Sequence, residues 1–138
     1  MNVTSAKDWL VKSWHHYSSA KVLFDAHHFT DCIAVDLHYS IEISLKSILA
    51  YRNDKIVKSH DLLEIHSLIA EQIEFNDDEL ALLDVVTRYH VKESYPNPTR
   101  ILPPRDEIKK VLEFADQLLD RVCTLLKISA QEIKSEPN

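Results

Sequence analysis

Apolar residues recur every three to four positions through most of this chain, which is the spacing of a helix with one buried face. The first such stripe is Leu10, Trp14, Tyr17, Ala20 and Phe24 and predicts a helix from about Ala6 to His27, with Ser5 and Asp8 as a capping box. A second seam, Ile33, Leu37, Ile41, Leu45, Ile48 and Leu49, predicts a helix over Asp31 to Arg52 with Thr30 as its N-cap. A third helix is expected to follow Ser59 and to run through Leu62, Ile65 and Ile69 to about Ile73. The fourth starts near Asp77 behind a capping box of Asn76 and Glu79, with Leu80, Leu83 and Val86 facing inward.

The stretch Ser94 to Pro104 carries four prolines in eleven residues, so the chain must break there. A fifth helix, Asp106 to Leu126, follows with Ile108, Val111, Leu112, Ala115, Leu118, Val122 and Leu125 on its apolar face. Amphipathic helices joined by short links bury their stripes against one another. The expected fold is therefore all-α, an antiparallel up-and-down bundle of four or five helices. It spans residues 1–127 as a single unit, with 128–138 as a turn or frayed tail.

Composition narrows the chemistry. The 138 residues include no glycine, against roughly ten at average usage. Gly-rich phosphate loops and dinucleotide fingerprints are thereby excluded, and a nucleotide must be held by side chains and helix ends. Cys32 and Cys123 are too few for a disulfide framework and are placed on apolar helix faces as small hydrophobes. No apolar run approaches the roughly 18 residues of a membrane span, and the first residues lack the pattern of a signal peptide. The expected location is the cytoplasm.

The net charge of −6 is unevenly spread. Residues 61–87 carry eight acids and no Lys or Arg, whereas 88–110 carry six Lys and Arg against three acids. The second stretch could attract a phosphate; the first would repel one. No Glu-x-x-His, His-Glu-x-x-His or Cys-x-x-Cys occurs, and the adjacent pairs His15-His16 and His27-His28 diverge on a helix. No metal site and no cofactor are expected.

Several polar residues fall in a recognisable order. Phe29 precedes a long helix carrying Glu42 and Lys46 one turn apart. His60-Asp61-Leu62 opens the next helix, and Tyr89 leads to Tyr95-Pro96. This layout, over about residues 8 to 125, resembles the HEPN family, small helical bundles linked to nucleotide or RNA handling. The resemblance implies a module that binds a nucleotide or nucleotide-like ligand, is non-catalytic, and works with a separately encoded nucleotidyltransferase in a toxin–antitoxin-like pair. It also implies a homodimer, for which Trp9 and Trp14 could help form the interface.

The candidate ligand residues are Lys46, His60, Arg88, Tyr89, Lys92 and Tyr95, with the N-terminus of the third helix as an anion site. The family's Arg-Tyr-Pro-Asp is altered here. Ser94 stands in place of the Arg and Asn97 in place of the Asp, leaving Arg88 and Lys92 to supply positive charge.

Two other readings stay open. HEPN ribonucleases carry Arg and His with four to six residues between them, for charge stabilisation and acid–base chemistry. No Arg here has that spacing. Arg52 and His60 come nearest and would be the catalytic pair of a metal-independent, toxin-like ribonuclease. The remaining reading is a helical scaffold or antitoxin-like partner without a ligand. Glu42 and Lys46 add little to stability if exposed but would need close pairing if buried.

Overall fold

The computed structural model describes residues 1–99 and 101–137. Among them are six helices and no strand: α1 Val3–Asp25, α2 Thr30–Tyr51, α3 Leu62–Ile69, α4 Asp77–Lys92, α5 Arg105–Leu126 and α6 Ala130–Ile133. The expected all-α bundle is the fold found. Helix α2 is its centre, packed against α1, α3, α4 and α5. All six residues of its predicted seam are buried, together with Leu10, Ile65, Leu83, Val111 and Leu118 from the surrounding helices. No helix among the described residues is long and apolar enough to cross a membrane.

The helix ends differ from expectation for local reasons. Helix α1 starts three residues early because Asn2, not Ser5, is its N-cap, accepting from the Ser5 N–H at 3.0 Å. Asn2 is itself tied to the end of α2 through Tyr51 and Asn53. Thr30 is the first residue of α2 rather than its cap. Asp61 caps α3, accepting from Leu63 and Glu64, while Ser59 takes the N–H of Asp61. That helix ends at Ile69, and His66 Nε2–H donates to the Ile73 carbonyl across the turn that follows. The Asn76–Glu79 capping box of α4 forms in both directions.

A chain without glycine must still reverse direction after its helices. His27, Asn53 and Lys127 take left-handed backbone, with φ of 56°, 57° and 57°. Each closes a helix with a paired turn, as where Ile128 donates to the Cys123 carbonyl and Lys127 to that of Thr124. For His27 and Lys127 the Cβ clash costs roughly 1–2 kcal/mol.

Three placements need correction. Leu125 is 38% exposed, its core place taken by Leu119 and Leu126. Cys32 is exposed on the outer side of α2, whereas Cys123 is buried. The segment after Leu126 is no frayed tail. Ile128 and Ile133 are buried, Lys134 bridges Asp116 and Asp120, and Trp14 Nε1–H donates to the Ser135 carbonyl. Trp14, Tyr17 and Phe24 are partly buried against the core, with Lys134 set over the Trp14 ring and Arg105 over that of Phe24.

Candidate functional site

The least expected feature of the interior is a group of ionisable side chains at the junction of α2, the approach to α3, and α4. Glu42 and Lys46, one turn apart on α2, form a buried ion pair at 3.0 Å, with each side chain 6% exposed. The other Glu42 oxygen accepts from His60 Nδ1 at 2.8 Å. A carboxylate only accepts, so Nδ1 carries the proton and Nε2 is the ring's open atom. His60 keeps 46% of its side chain exposed and stacks nearly parallel on His90, with ring centres 3.9 Å apart.

His38, one turn before Glu42, completes the group and is fully buried. Its Nε2–H donates to the His60 carbonyl at 3.0 Å, fixing the backbone just before α3. Its Nδ1 is therefore unprotonated, lies 3.8 Å from Glu42, and makes no hydrogen bond. Burial pushes the His38 pKa below the ordinary histidine value. Burial, then the proximity of His60, does the same to His90. Sequence reasoning missed both histidines. A signal did exist for one of them, since His38, Glu42 and Lys46 recur at intervals of four and so share a helix face.

The candidate ligand residues divide into two sets. Lys46 and His60 belong to the interior group, and the Lys46 ammonium is already engaged by Glu42. Arg88, Tyr89 and Lys92 instead line a cavity of about 320 Å3 between α4 and the chain leading into α5, whose far wall is Ile101, Leu102, Pro103 and Pro104. Arg88 is an exposed cation with a loose 3.4 Å contact to Asp84. Tyr89 is buried, its O–H donating to Glu107 at 2.6 Å, and burial raises its phenol pKa. Lys92 also reaches a second cavity of about 590 Å3, shared with Asp31, Glu93 and Tyr95. Tyr95 is 70% exposed.

Two placements bear on catalysis and anion binding. Arg52 donates to the Leu68 carbonyl and Gln72 at the far end of α3. It lies ten residues beyond Glu42, a helical rise of about 15 Å, whereas His60 sits against Glu42 itself. The two do not converge. The N-terminus of α3 does not stand open either, since the Asp61 carboxylate accepts its N–H groups. Among the described residues no three His, Cys, Asp or Glu side chains converge on a metal position.

Comparison with known proteins agrees with this architecture. The structure superposes on that of TT1696 from Thermus thermophilus with a TM-score of 0.74 at 19% identity, over 91% of this chain and 99% of that one. At that identity the likeness speaks to the fold alone. No curated protein matches the sequence. The HEPN domain profile matches residues 6–128, nearly the whole bundle, and on that match this chain belongs to the HEPN domain family.

Proposed function

We propose that this chain is a non-catalytic HEPN module that binds a nucleotide or nucleotide-like ligand and acts, as a cytoplasmic homodimer, with a separate nucleotidyltransferase in a toxin–antitoxin-like pair. The supporting observation is the pairing of Arg88 and Lys92, one turn apart on α4, at a cavity whose opposite wall is apolar and whose two carboxylates are Glu107, engaged by Tyr89, and the buried Glu93. Phosphate oxygens would meet the two cations through charge-assisted hydrogen bonds. The base would lie against Leu102 and Pro103. At about 320 Å3 the cavity is at the small end of ligand sites, so part of such a ligand would stay outside.

The homodimer reading draws on exposed apolar side chains where α1 turns into α2, among them Val22 at 64% and Phe29 at 67% exposure. Titration calorimetry with ATP, GTP and UTP tests the ligand. Binding should weaken at least about tenfold for Arg88→Ala and for Lys92→Ala, the loss of one charge-assisted bond each. Absence of heat with all three nucleotides, and a 16 kDa species in light scattering, would refute the ligand and the dimer in turn.

A second reading, a metal-independent ribonuclease, draws on the His60 ring, held by Glu42 with Nε2 open to solvent. It requires RNA cleavage in EDTA that His60→Ala abolishes. Intact RNA after prolonged incubation with the wild-type chain would end it.

A further inference from the structure

Glu93, the residue immediately after α4, is the polar group whose surroundings the fold does not explain. It is 7% exposed, and neither carboxylate oxygen has a hydrogen-bond partner. No cation among the described residues comes within ion-pair distance of it. Burial raises its pKa above the ordinary carboxylate range. Lys92 and the Asn97 amide offset part of that, and Asp31 and Glu107 add to the rise. The side-chain donor that acts on it is the Asn97 amide, whose Nδ2 is also buried and meets no acceptor in hydrogen-bond geometry. The amide acts on the carboxylate, but the two do not meet in hydrogen-bond geometry, so much of both desolvation costs stays unrecovered. Native interiors rarely hold such a group without a purpose.

The position of Glu93 suggests the purpose. It is the acidic side chain common to the two cavities that flank the end of α4. In the larger one the charged residues are Asp31 and Glu93 against Lys92, one more acid than base, and the remaining wall includes Tyr95, Pro96 and Leu102. A carboxylate with two free acceptor oxygens is completed by a cation bearing several N–H donors. An aromatic ring and apolar side chains at the same wall favour an organic cation, which can bury its carbon chain and set its charge beside a π face. Fewer acidic ligands converge here than calcium sites employ.

We propose that the cavity between the start of α2 and the Ser94–Asn97 segment binds a small organic molecule through a primary ammonium group, with Glu93 as its carboxylate partner and Asp31 as the second source of negative charge. The ammonium displaces the Asn97 amide from Glu93. Nδ2 gives up no hydrogen bond when it moves, and the Asn97 Oδ1, which accepts from the Thr99 N–H and O–H at 3.0 and 2.9 Å, must swing together with that turn. Lys92, Glu93 and Leu102 line this cavity as well as the one assigned to the nucleotide, but the ammonium site requires no phosphate and Arg88 does not line it, so putrescine and nucleotide binding are tested separately.

The test is an NMR titration of the full chain with putrescine at pH 7.5 and fixed ionic strength, with tetramethylammonium as a cation lacking N–H donors. Saturable shifts are expected at the backbone amides of Glu93, Tyr95 and Asn97 with putrescine only. Affinity should fall at least tenfold in Glu93→Gln and severalfold in Asp31→Asn. Shifts that do not saturate, that tetramethylammonium reproduces, or that survive in Glu93→Gln overturn the proposal. Thermal melting of Glu93→Gln and Glu93→Leu provides a separate check on folding. Both should melt at or above the wild-type temperature, because an unpaired buried charge has been removed. A lower melting temperature in both would show the carboxylate serving the fold and would also overturn the proposal.

Discussion

Replacing Lys46 by Met tests whether the interior ion pair anchors the bundle. Both partners are withdrawn from water, with Glu42 5% and Lys46 4% exposed, and they meet at 3.0 Å. Met fills much of the lysine stem's volume, so the main loss is the charge. Removing one member of a buried pair leaves the other uncompensated and costs about 3–5 kcal/mol. At about 2.1 cal/mol/K of unfolding entropy per residue, 138 residues give about 0.29 kcal/mol/K, so melting should fall by about 10–17 °C. Glu42→Leu should cost at least as much, since it strands Lys46 and also releases His60 Nδ1. The double variant Glu42→Leu/Lys46→Met is the decisive member of the series. With both charges gone and His60 half-open to water, it should recover most of the loss, giving a coupling of at least about 2 kcal/mol in the cycle. Urea and thermal unfolding of the four proteins measure it. A Lys46→Met protein that melts within a few degrees of wild type, or a double variant whose cost equals the sum of the singles, would refute the reasoning.

Acidification should weaken the fold through His38 and His90. Their folded pKa values lie below 6.5, so they contribute stability in full above that pH and lose it as the unfolded chain takes up protons the folded one resists. Urea titrations between pH 8 and 5 should show a shallower decline in His38→Gln, and an unchanged slope would exclude His38 as a source. Lys127→Gly should raise stability by about 1 kcal/mol, because φ of 57° suits glycine and strains lysine; a lower melting temperature would show that the lysine side chain matters more than its backbone. Ile133→Ala should cost about 2–5 kcal/mol, as for an interior position, whereas Glu136→Ala on the exposed end should melt like the wild type.

Much of the fold was legible because helical periodicity is local. Each of the five long stripes depends only on residues within a few turns, and the five helices stand where the stripes predicted. The ends were less legible because several caps come from elsewhere or from one residue over. Asn2 gains its role from contact with Asn53 at the end of α2, 51 positions away. The last segment was misread because a four-residue helix has no periodicity to show, and its order comes from Ile133, Lys134 and Ser135 docking on α1 and α5. The site was harder still. Glu42 and Lys46 stood out by their spacing, and His60 by its place before α3. That His90 stacks on His60 follows only from the rotation of α4 against α2, which no local pattern encodes. In sequence Glu93 is one of three acids in a basic stretch, and nothing local marks it as buried, since its burial is set by the covering segment that follows it.

Helix α4 gives the polar chemistry of this bundle its geometry. Successive residues on a helix are turned by about 100°, so positions 88 to 93 face different neighbours within less than two turns. Tyr89 and Glu93, four apart, point into the protein; His90, the next residue round, meets His60 and lies over the Glu42 group. Arg88 and Lys92 lie on a third side, at the rim of the outer cavity. The His90 stack and the wall of the surface cavity are thus carried on one rigid rod, with the Tyr89–Glu107 hydrogen bond holding it to α5. Any turn of α4 that accompanies displacement of the Asn97 amide from Glu93 would move His90 against His60 as well. That coupling gives the stacked rings a value as a reporter. Their NMR signals should shift when putrescine occupies the Asp31–Glu93 cavity, although no ligand atom touches them, and signals that stay fixed throughout saturation would show α4 to be stationary during binding.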